Sequence, residues 1–576
     1  MPEQTTSSTE SGLRAPQQAK ASHRPDPLVL LALFLLMQIM VVRVAATYRV
    51  FNATYDEPTH ILAGLELYQF GTYSVNVGHP PLARLAIGLL PYVLGLRMMP
   101  PAGTGGRRLI VIEREYWKTV TLARMGTLAF LPILIFYVYR WSSLLYGKIA
   151  GLAACVLVTF SPNIMAHAGL ATNDFAATAT IFAAAYHLWR WSLSPSWANC
   201  LLAAVTTGAA VLSKFSALLY LPAVFVVFQL IAMLQRRKSR APENRLSFAK
   251  GIAQAAAFCG VTLLVIWAVY SLHARPSAPW TGKTAAAVEL QLAGQRPKLS
   301  RALLGISEAA PLFPRPFTAG LAALVAIVDG GRDAYLLGAI SHFGWWYYFP
   351  VVLAVKSTLP MLLLIGLAAV ALVLDRGRKL RGSSAYLAGG AAAILAVAMG
   401  STFDIGARHI LPIYPFLAVF ASVVFARPAP PVRGRALAAA LGILLLAWHA
   451  GESFLAGPDY LAYFNEIARG REQHFLGDSN LDWGQDLARL ERYVEAHAID
   501  QIHLTYFGMT TPEAVGMRNV KRLEPGERPT GWVAVSVNYL QGINLDGMPR
   551  ASYQWLKDRQ PYARIGKTIY LYYLPQ

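Results

Sequence analysis

Two carboxylates stand side by side in Tyr55-Asp56-Glu57-Pro58-Thr59-His60, a few residues beyond a long apolar run. Glu66 and Tyr68 follow, and then Gly78-His79-Pro80-Pro81-Leu82-Ala83-Arg84. Acids beside a membrane are costly unless they are solvated, paired or used. One use is to accept the proton of an attacking hydroxyl. The plainer account is structural: an acid ahead of a helix caps it, and Pro58 suits a first turn. Both readings fit the local sequence. Asp174 in Ala171-Thr172-Asn173-Asp174-Phe175 poses the same choice, with an ordinary Thr-Asn-Asp helix start favouring the cap. The two roles can coexist.

Cations recur at similar places. Lys214 sits in Ser213-Lys214-Phe215-Ser216 between two apolar runs, Lys356 lies inside one, and Arg408-His409 open another. An ionisable group within a span is a functional candidate by default. Snorkelling to headgroups is the bland account of Lys214 and Arg408. That escape is harder for Lys356, which favours an anionic partner there. Recurrent cations near one membrane face suit a phosphate held at its surface. The run Gly344-Trp345-Trp346-Tyr347-Tyr348-Phe349-Pro350 reads first as an interfacial belt, and second as a wall for a sugar or a lipid head.

The frame that must hold these residues is apolar. The chain has 576 residues, 55% hydrophobic and only 14% charged. A soluble chain carries about 25% charged residues. A disordered chain, a disulfide scaffold and a single soluble domain are all excluded, and a polytopic α-helical membrane protein is predicted. Apolar runs near 27–46, 122–139, 149–167, 175–192, 199–213, 216–234, 251–272, 348–373, 384–401, 409–426 and 436–455 predict about eleven spans. The run 82–99 is short, holds Pro91 and reads as an interfacial or re-entrant helix. The net charge of +20 then has a location. Arg236-Arg237-Lys238-Ser239-Arg240 and Arg376-Gly377-Arg378-Lys379 fall on one side of this eleven-span layout, with the N-terminus. That is the cytoplasmic bias of Lys and Arg, so the basic excess reports topology and not a nucleic-acid partner.

The domain reading follows. Residues 1–27 form a disordered cytoplasmic tail, 28–456 the transmembrane domain, and 457–576 a small soluble α/β domain outside. In the last, Leu487–His497 has helical spacing, and Ile502–Phe507, Trp532–Asn538 and Thr568–Tyr573 are strand-like. Long outer loops near 48–121 and 273–347 are expected to cover the site. Cys155, Cys200 and Cys259 lie in apolar runs and read as small buried residues.

With Asp56-Glu57, His79-Pro80-Pro81-Leu82, Thr172-x-Asp174 and the multispan body in view, the chain resembles the GT-C membrane glycosyltransferases. The closest likeness is to the protein O-mannosyltransferase and lipid A aminoarabinose transferase branch, glycosyltransferase family 39. The resemblance covers roughly 28–455. It implies a polyprenyl-phosphate sugar donor, inverting transfer on the extracytoplasmic side of the plasma (inner) membrane, and a protein, lipid or glycan acceptor. It implies Asp56 as the general base, with Glu57 and Asp174 beside it. Arg84, Lys214, Lys356, Arg408 and His409 become candidates for the donor phosphate, and His79 and Tyr55 for positioning substrate. Arg84 stands where the family's His-Pro-Pro-Leu-x-Lys form ends in Lys, which keeps the charge and changes the phosphate geometry. No cofactor is implied with certainty; a divalent cation and its ligands stay open. The sugar is mannose by family prior alone.

A transporter or flippase of lipid-linked sugars is the alternative, but it calls for midplane charges and an internal repeat. Leu476-Gly477-Asp478-Ser479-Asn480-Leu481-Asp482-Trp483-Gly484-Gln485-Asp486 resembles a segment of bacterial members of the family. Its acids fit a tight turn before the helix at 487 better than a sugar or cation site. Asn52-Ala53-Thr54 matches a glycosylation acceptor and is read as chance.

Overall fold

The computed structural model describes residues 26–98, 115–239, 247–273, 302, 305, 312–374, 379–426, 435–543 and 549–575. The expected tail and parts of the long loops and basic clusters fall outside these. The body is helical apart from one short hairpin, β1 (Ala334–Leu336) with β2 (Ala339–Ser341). In chain order it contains α1 (Pro27–Ala45), α2 (Glu57–Phe70), α3 (Pro81–Val93), α4 (Tyr116–Thr127), α5 (Leu131–Tyr146), α6 (Lys148–Thr159), α7 (Pro162–Ala168), α8 (Asp174–Leu193) and α9 (Trp197–Ser213). Then come α10 (Ala217–Ser239), α11 (Phe248–His273), α12 (Arg315–Gly330), α13 (Tyr348–Lys356), α14 (Leu359–Leu374), α15 (Lys379–Met399), α16 (Ile413–Ala421) and α17 (Arg435–Ala456).

The chain is a polytopic helical membrane protein, but the expected eleven spans are not all of one kind. Among the described residues six helices are long and apolar enough to cross, or up to eight if the bent pairs α6–α7 and α13–α14 each count once. The second pair turns by 108°. The other three runs became α8, the short helix α9 and the short helix α16. In α8 every residue from Asp174 to Trp189 is buried by neighbouring helices. A helix that meets protein and not lipid needs no long hydrophobic surface, so Ala and Thr serve where Leu would be expected. The run at 82–99 became the short, 13-residue α3. Cys155 and Cys200 are buried as expected, whereas Cys259 is exposed on α11.

Small residues set the spacing around the first loop. A side chain on Gly64 of α2 would strike the carbonyl of Arg84 and the backbone of Gly88, and one on Gly88 would strike Gly64. The two backbones therefore touch, which brings the start of α2 against the start of α3. Asp56 and His79 precede those two starts.

After Ala456 the fold changes. Helix α18 (Leu487–Ala496) precedes a five-stranded sheet of β3 (Ile502–Thr505), β4 (Val520–Arg522), β5 (Gly531–Ser536), β6 (Ala563–Ile565) and β7 (Ile569–Leu574). The strand order is β4-β3-β5-β7-β6, parallel at β4-β3-β5 and antiparallel at β5-β7-β6. Each strand-like run of the sequence is a strand here. Side chains alternate across β5: Val533 and Val535 pack with Trp483 and Tyr572, while Ala534 packs with Ile502, Leu490 and Leu571 on the other face. That second core is continuous with Ile61, Leu65, Ile87 and Val120 of α2, α3 and α4. The sheet region is thus fused to the first-loop helices by shared apolar burial. A two-stranded hairpin, Ala334–Leu336 with Ala339–Ser341, also leans on it, with the Leu337 amide donating to the Phe475 carbonyl at 3.0 Å.

Candidate active site

Asp56 occupies the position before α2, yet its side chain makes no capping bond. The carboxylate instead receives Nη1 of Arg408 at 2.5 Å. The Asp56 side chain keeps 32% exposure, so it is reachable from outside the protein. Burial pushes its pKa up, but Arg408, with His60 and Arg332, outweighs this and holds it below the ordinary carboxylate value. Asp56 is an ionised acceptor at neutral pH.

Glu57, its neighbour, points the other way and is fully buried. Arg124 of α4 grips both oxygens, Nε and Nη2 each at 2.8 Å. The amides of Thr54 and Ala171 donate to it at 2.7 and 2.8 Å, and the Thr54 hydroxyl at 3.1 Å. Arg124 also donates to the carbonyls of Phe51 and Asn52. This pair closes the loop on itself and leaves no carboxylate oxygen of Glu57 for substrate. Of the two adjacent acids, only Asp56 keeps exposed side-chain surface.

Asp174 is the first residue of α8, and it too makes no cap; Asn173 holds the capping position without a side-chain bond. Its carboxylate takes Nζ of Lys214 at 2.6 Å and the Thr172 hydroxyl at 3.1 Å. Lys214 lies just past the end of α9, where a cation also suits the helix dipole. The two acid–cation pairs, Asp56–Arg408 and Asp174–Lys214, occupy one locality, since Arg408 acts electrostatically on Asp174 as well as on Asp56. His79 links them to the α3 start, its Nδ1 lying 3.2 Å from Nδ2 of Asn173. Its ring sits 5.1 Å from that of His60. Burial first, then neighbouring cations, push His60 down to about 4 and His79 well below the ordinary histidine value. Both rings are neutral at pH 7.

The other predicted residues separate. Arg84 is buried, and two of its nitrogens donate to the carbonyl and side chain of Asn76 at 2.6 and 2.9 Å. Its Nε is buried without a hydrogen-bond partner. His409 keeps Nε2 unpartnered, while its carbonyl accepts from Tyr220. Tyr55 stacks on Phe507 at 4.7 Å and donates its amide to the Trp483 carbonyl at 2.9 Å. Lys356 has a different occupation from the one expected. Its buried Nζ donates to the carbonyls of Leu461 and Asn480 at 2.7 and 2.6 Å and lies 4.5 Å from the Phe464 ring centroid. Two carbonyls satisfy this cation without an anion, and what it secures is the segment after α17.

That segment supplies residues the motif reading did not place in the site. Trp483 carries the Arg408 guanidinium on its ring at 4.3 Å. Asp478 adopts φ +50°, and its buried Oδ2 lies 3.9 Å from Nη2 of Arg332 without a hydrogen bond. The cluster of acids in 476–486 was the available signal for Asp478 and Trp483. Arg124 had one as well, a lone Arg in an apolar run; Arg332 had none. The three acids do not converge. Asp482 accepts from Gly484 and Asn538, and Asp486 from Lys567, Thr568 and Arg489. Among the described residues no three His, Cys, Asp or Glu side chains are grouped to hold a metal ion. The aromatic run divides: Trp346 is exposed like a belt residue, while Tyr348 and Phe349 turn inward. Asn52 is buried, its amide donating to the Gly484 carbonyl at 2.7 Å, so it is no glycosylation acceptor in this fold.

Comparison with known proteins follows the motifs. Residues 118–267 match the family model of dolichyl-phosphate-mannose-protein mannosyltransferase. The family resemblance drawn from the first-loop motifs and this match, which lies mostly beyond that loop, point to the same GT-C glycosyltransferases. No curated protein sequence matches. Among solved structures, ArnT from Cupriavidus metallidurans bound to undecaprenyl phosphate is 14% identical, covering 95% of this chain and 98% of that one, with a TM-score of 0.46. The S. cerevisiae protein O-mannosyltransferase Pmt1-Pmt2 complex bound to the sugar donor is 17% identical over 44% of this chain and 34% of that one, TM-score 0.32. The archaeal oligosaccharyltransferase AglB from Archaeoglobus fulgidus is 13% identical over 90% and 71%, TM-score 0.39.

Proposed function

We propose that this chain is an integral-membrane glycosyltransferase that moves a sugar from a polyprenyl-phosphate donor to an acceptor hydroxyl outside the cytoplasm, with inversion. The observation that carries this reading is the half-open pair Asp56–Arg408, an ionised carboxylate and a guanidinium joined by one short contact beside the second pair Asp174–Lys214. The donor class follows the family matched by 118–267, whose name carries dolichyl-phosphate-mannose. Mannose is the first sugar to test, with aminoarabinose second.

Arg408 and Lys214 bind the donor phosphate, whose lipid lies along the helices. The acceptor hydroxyl attacks the anomeric carbon from the opposite face. As its oxygen bonds to that carbon, the bond from carbon to phosphate oxygen breaks, and the electron pair leaves with the lipid phosphate. Asp56 takes the hydroxyl proton. Arg408 and Lys214 stabilise the charge that grows on the phosphate, which needs no proton to depart. Asp174 holds Lys214, and neutral His79 orients the α3 start. The N-terminus and basic clusters lie in the cytoplasm, and the sheet region lies outside. Both acid–cation pairs sit at helix ends, not at mid-helix, which suits surface chemistry better than transport.

The test uses the full chain in membranes with a panel of polyprenyl-phosphate sugars. The wild type is expected to transfer one of them, and Asp56→Asn to lower kcat by about 10²–10⁴-fold with the melting temperature kept. Normal turnover in a folded Asp56→Asn protein would remove the base.

A further inference from the structure

The region after α17 does not stand apart from the first loop. One short stretch of it, 479–484, touches both loops that carry the Asp56–Arg408 pair. On the Arg408 side, the Ser479 hydroxyl donates to the Ile405 carbonyl at 2.8 Å, and the Asn480 side-chain oxygen accepts the Ala407 amide at 2.9 Å. A side chain on Gly406 would strike the Ser479 hydroxyl, so only glycine allows this approach. On the Asp56 side, the Trp483 carbonyl accepts the Tyr55 amide at 2.9 Å, and the Gly484 carbonyl accepts the Asn52 side chain at 2.7 Å. The stretch is itself anchored from beneath, because Nζ of Lys356 donates to the Asn480 carbonyl and Nδ2 of Asn480 to the Tyr348 hydroxyl.

Trp483 joins the two sides. Its backbone holds the residue before Asp56, and its ring lies under the Arg408 guanidinium at 4.3 Å. The ring is buried, with 1% exposure, and meets the edge of His167 at 6.1 Å. A buried indole has no free face for a sugar. A guanidinium stacked on a desolvated ring is fixed in plane and direction. Arg408 needs that support, since its Nε is buried without a hydrogen-bond partner and Asp56 is its one charged contact within ion-pair distance among the described residues.

We infer that Trp483 is a positioning residue: the region after α17 places the guanidinium of Arg408 for the donor phosphate and for Asp56, and so completes a site whose reacting groups all lie in the membrane-side loops. This rests on the glycosyl-transfer reading above.

The test is a double-mutant cycle on the full chain, Trp483→Leu with Arg408→Gln, assayed with the donor the wild type uses. Trp483→Leu is expected to lower kcat/KM for the donor about 30-fold, the loss of a desolvated cation–ring contact. KM for the acceptor should stay nearly constant, and Trp483→Phe should recover most of the activity. With Arg408 already replaced, Trp483→Leu should cost little more, whereas Trp532→Leu, a control on β5 away from the site, should add its effect independently. Additive losses of Trp483 and Arg408, or equal damage to donor and acceptor use, would overturn the positioning role while leaving the transfer reading in place. A wild type that transfers no sugar from any polyprenyl-phosphate donor would overturn the transfer reading, and this inference with it.

Discussion

Asp56 and Glu57 are neighbours in sequence and opposites in circumstance. Each faces an arginine supplied by a distant part of the chain. Glu57 is fully buried, with a two-point grip from Arg124 and three further donors. Asp56 is about a third exposed and has one short contact to Arg408. A buried ion pair with every lone pair satisfied resists change, because removing either partner strands the other in a medium that cannot solvate it. A half-solvated pair with a single contact can exchange partners at little cost. The same residue chemistry thus gives a buried clamp on one side of the loop and a half-exposed, singly held carboxylate on the other, and satisfaction, not residue type, separates them.

The contrast can be broken by experiment. The largest effect is expected at Glu57→Gln, which leaves Arg124 as an uncompensated buried charge and should cost about 3–5 kcal/mol of stability. Thermal unfolding of the purified protein reads this, and a Glu57→Gln protein that stays folded but inactive would put Glu57 back into the chemistry. Lys214→Met comes next. It leaves the buried Asp174 with the Thr172 hydroxyl as its remaining side-chain donor, and should cost about 1–3 kcal/mol along with donor use. Unchanged donor KM would detach the second pair from the phosphate.

Most of the helical frame was legible, because apolar runs need only length and composition to be seen. The acids at Asp56 and Asp174 were legible as candidates, since charge next to a span is rare. For Asp56 a cap and a catalytic role fitted the local sequence equally, and for Asp174 the cap was favoured; the structure shows neither capping bond. Local sequence cannot see Arg408, 352 positions away from Asp56. Lys356 shows the same limit: a buried lysine calls for partners, and here carbonyls of a later segment are among them.

The last expected effect is a pH dependence in the sheet region. Burial pushes the Asp482 carboxyl up to about 8, whereas an unfolded Asp titrates near 3.8. The folded state then holds more protons than the unfolded state between these values, so stability falls as pH rises across the window. The contribution is complete below about pH 4 and gone above about pH 8. Asp482→Asn, which mimics the protonated form, should flatten this dependence in a melting-temperature series. A series with the wild-type slope would place the titration elsewhere.

What the sequence determined by itself is the membrane class, the helical runs, the strands after 500 and a short roster of ionisable residues. Hydrophobic period, length and the rarity of charge are local properties, and one chain suffices to read them. Tertiary structure alone decided which acid is clamped and which stays half-exposed, which cation is taken by carbonyls and that Trp483 lies against Arg408. Those are questions of partner and solvation. Both depend on contacts made across hundreds of residues, where the free energy of a buried charge is settled by what it meets and not by what it follows.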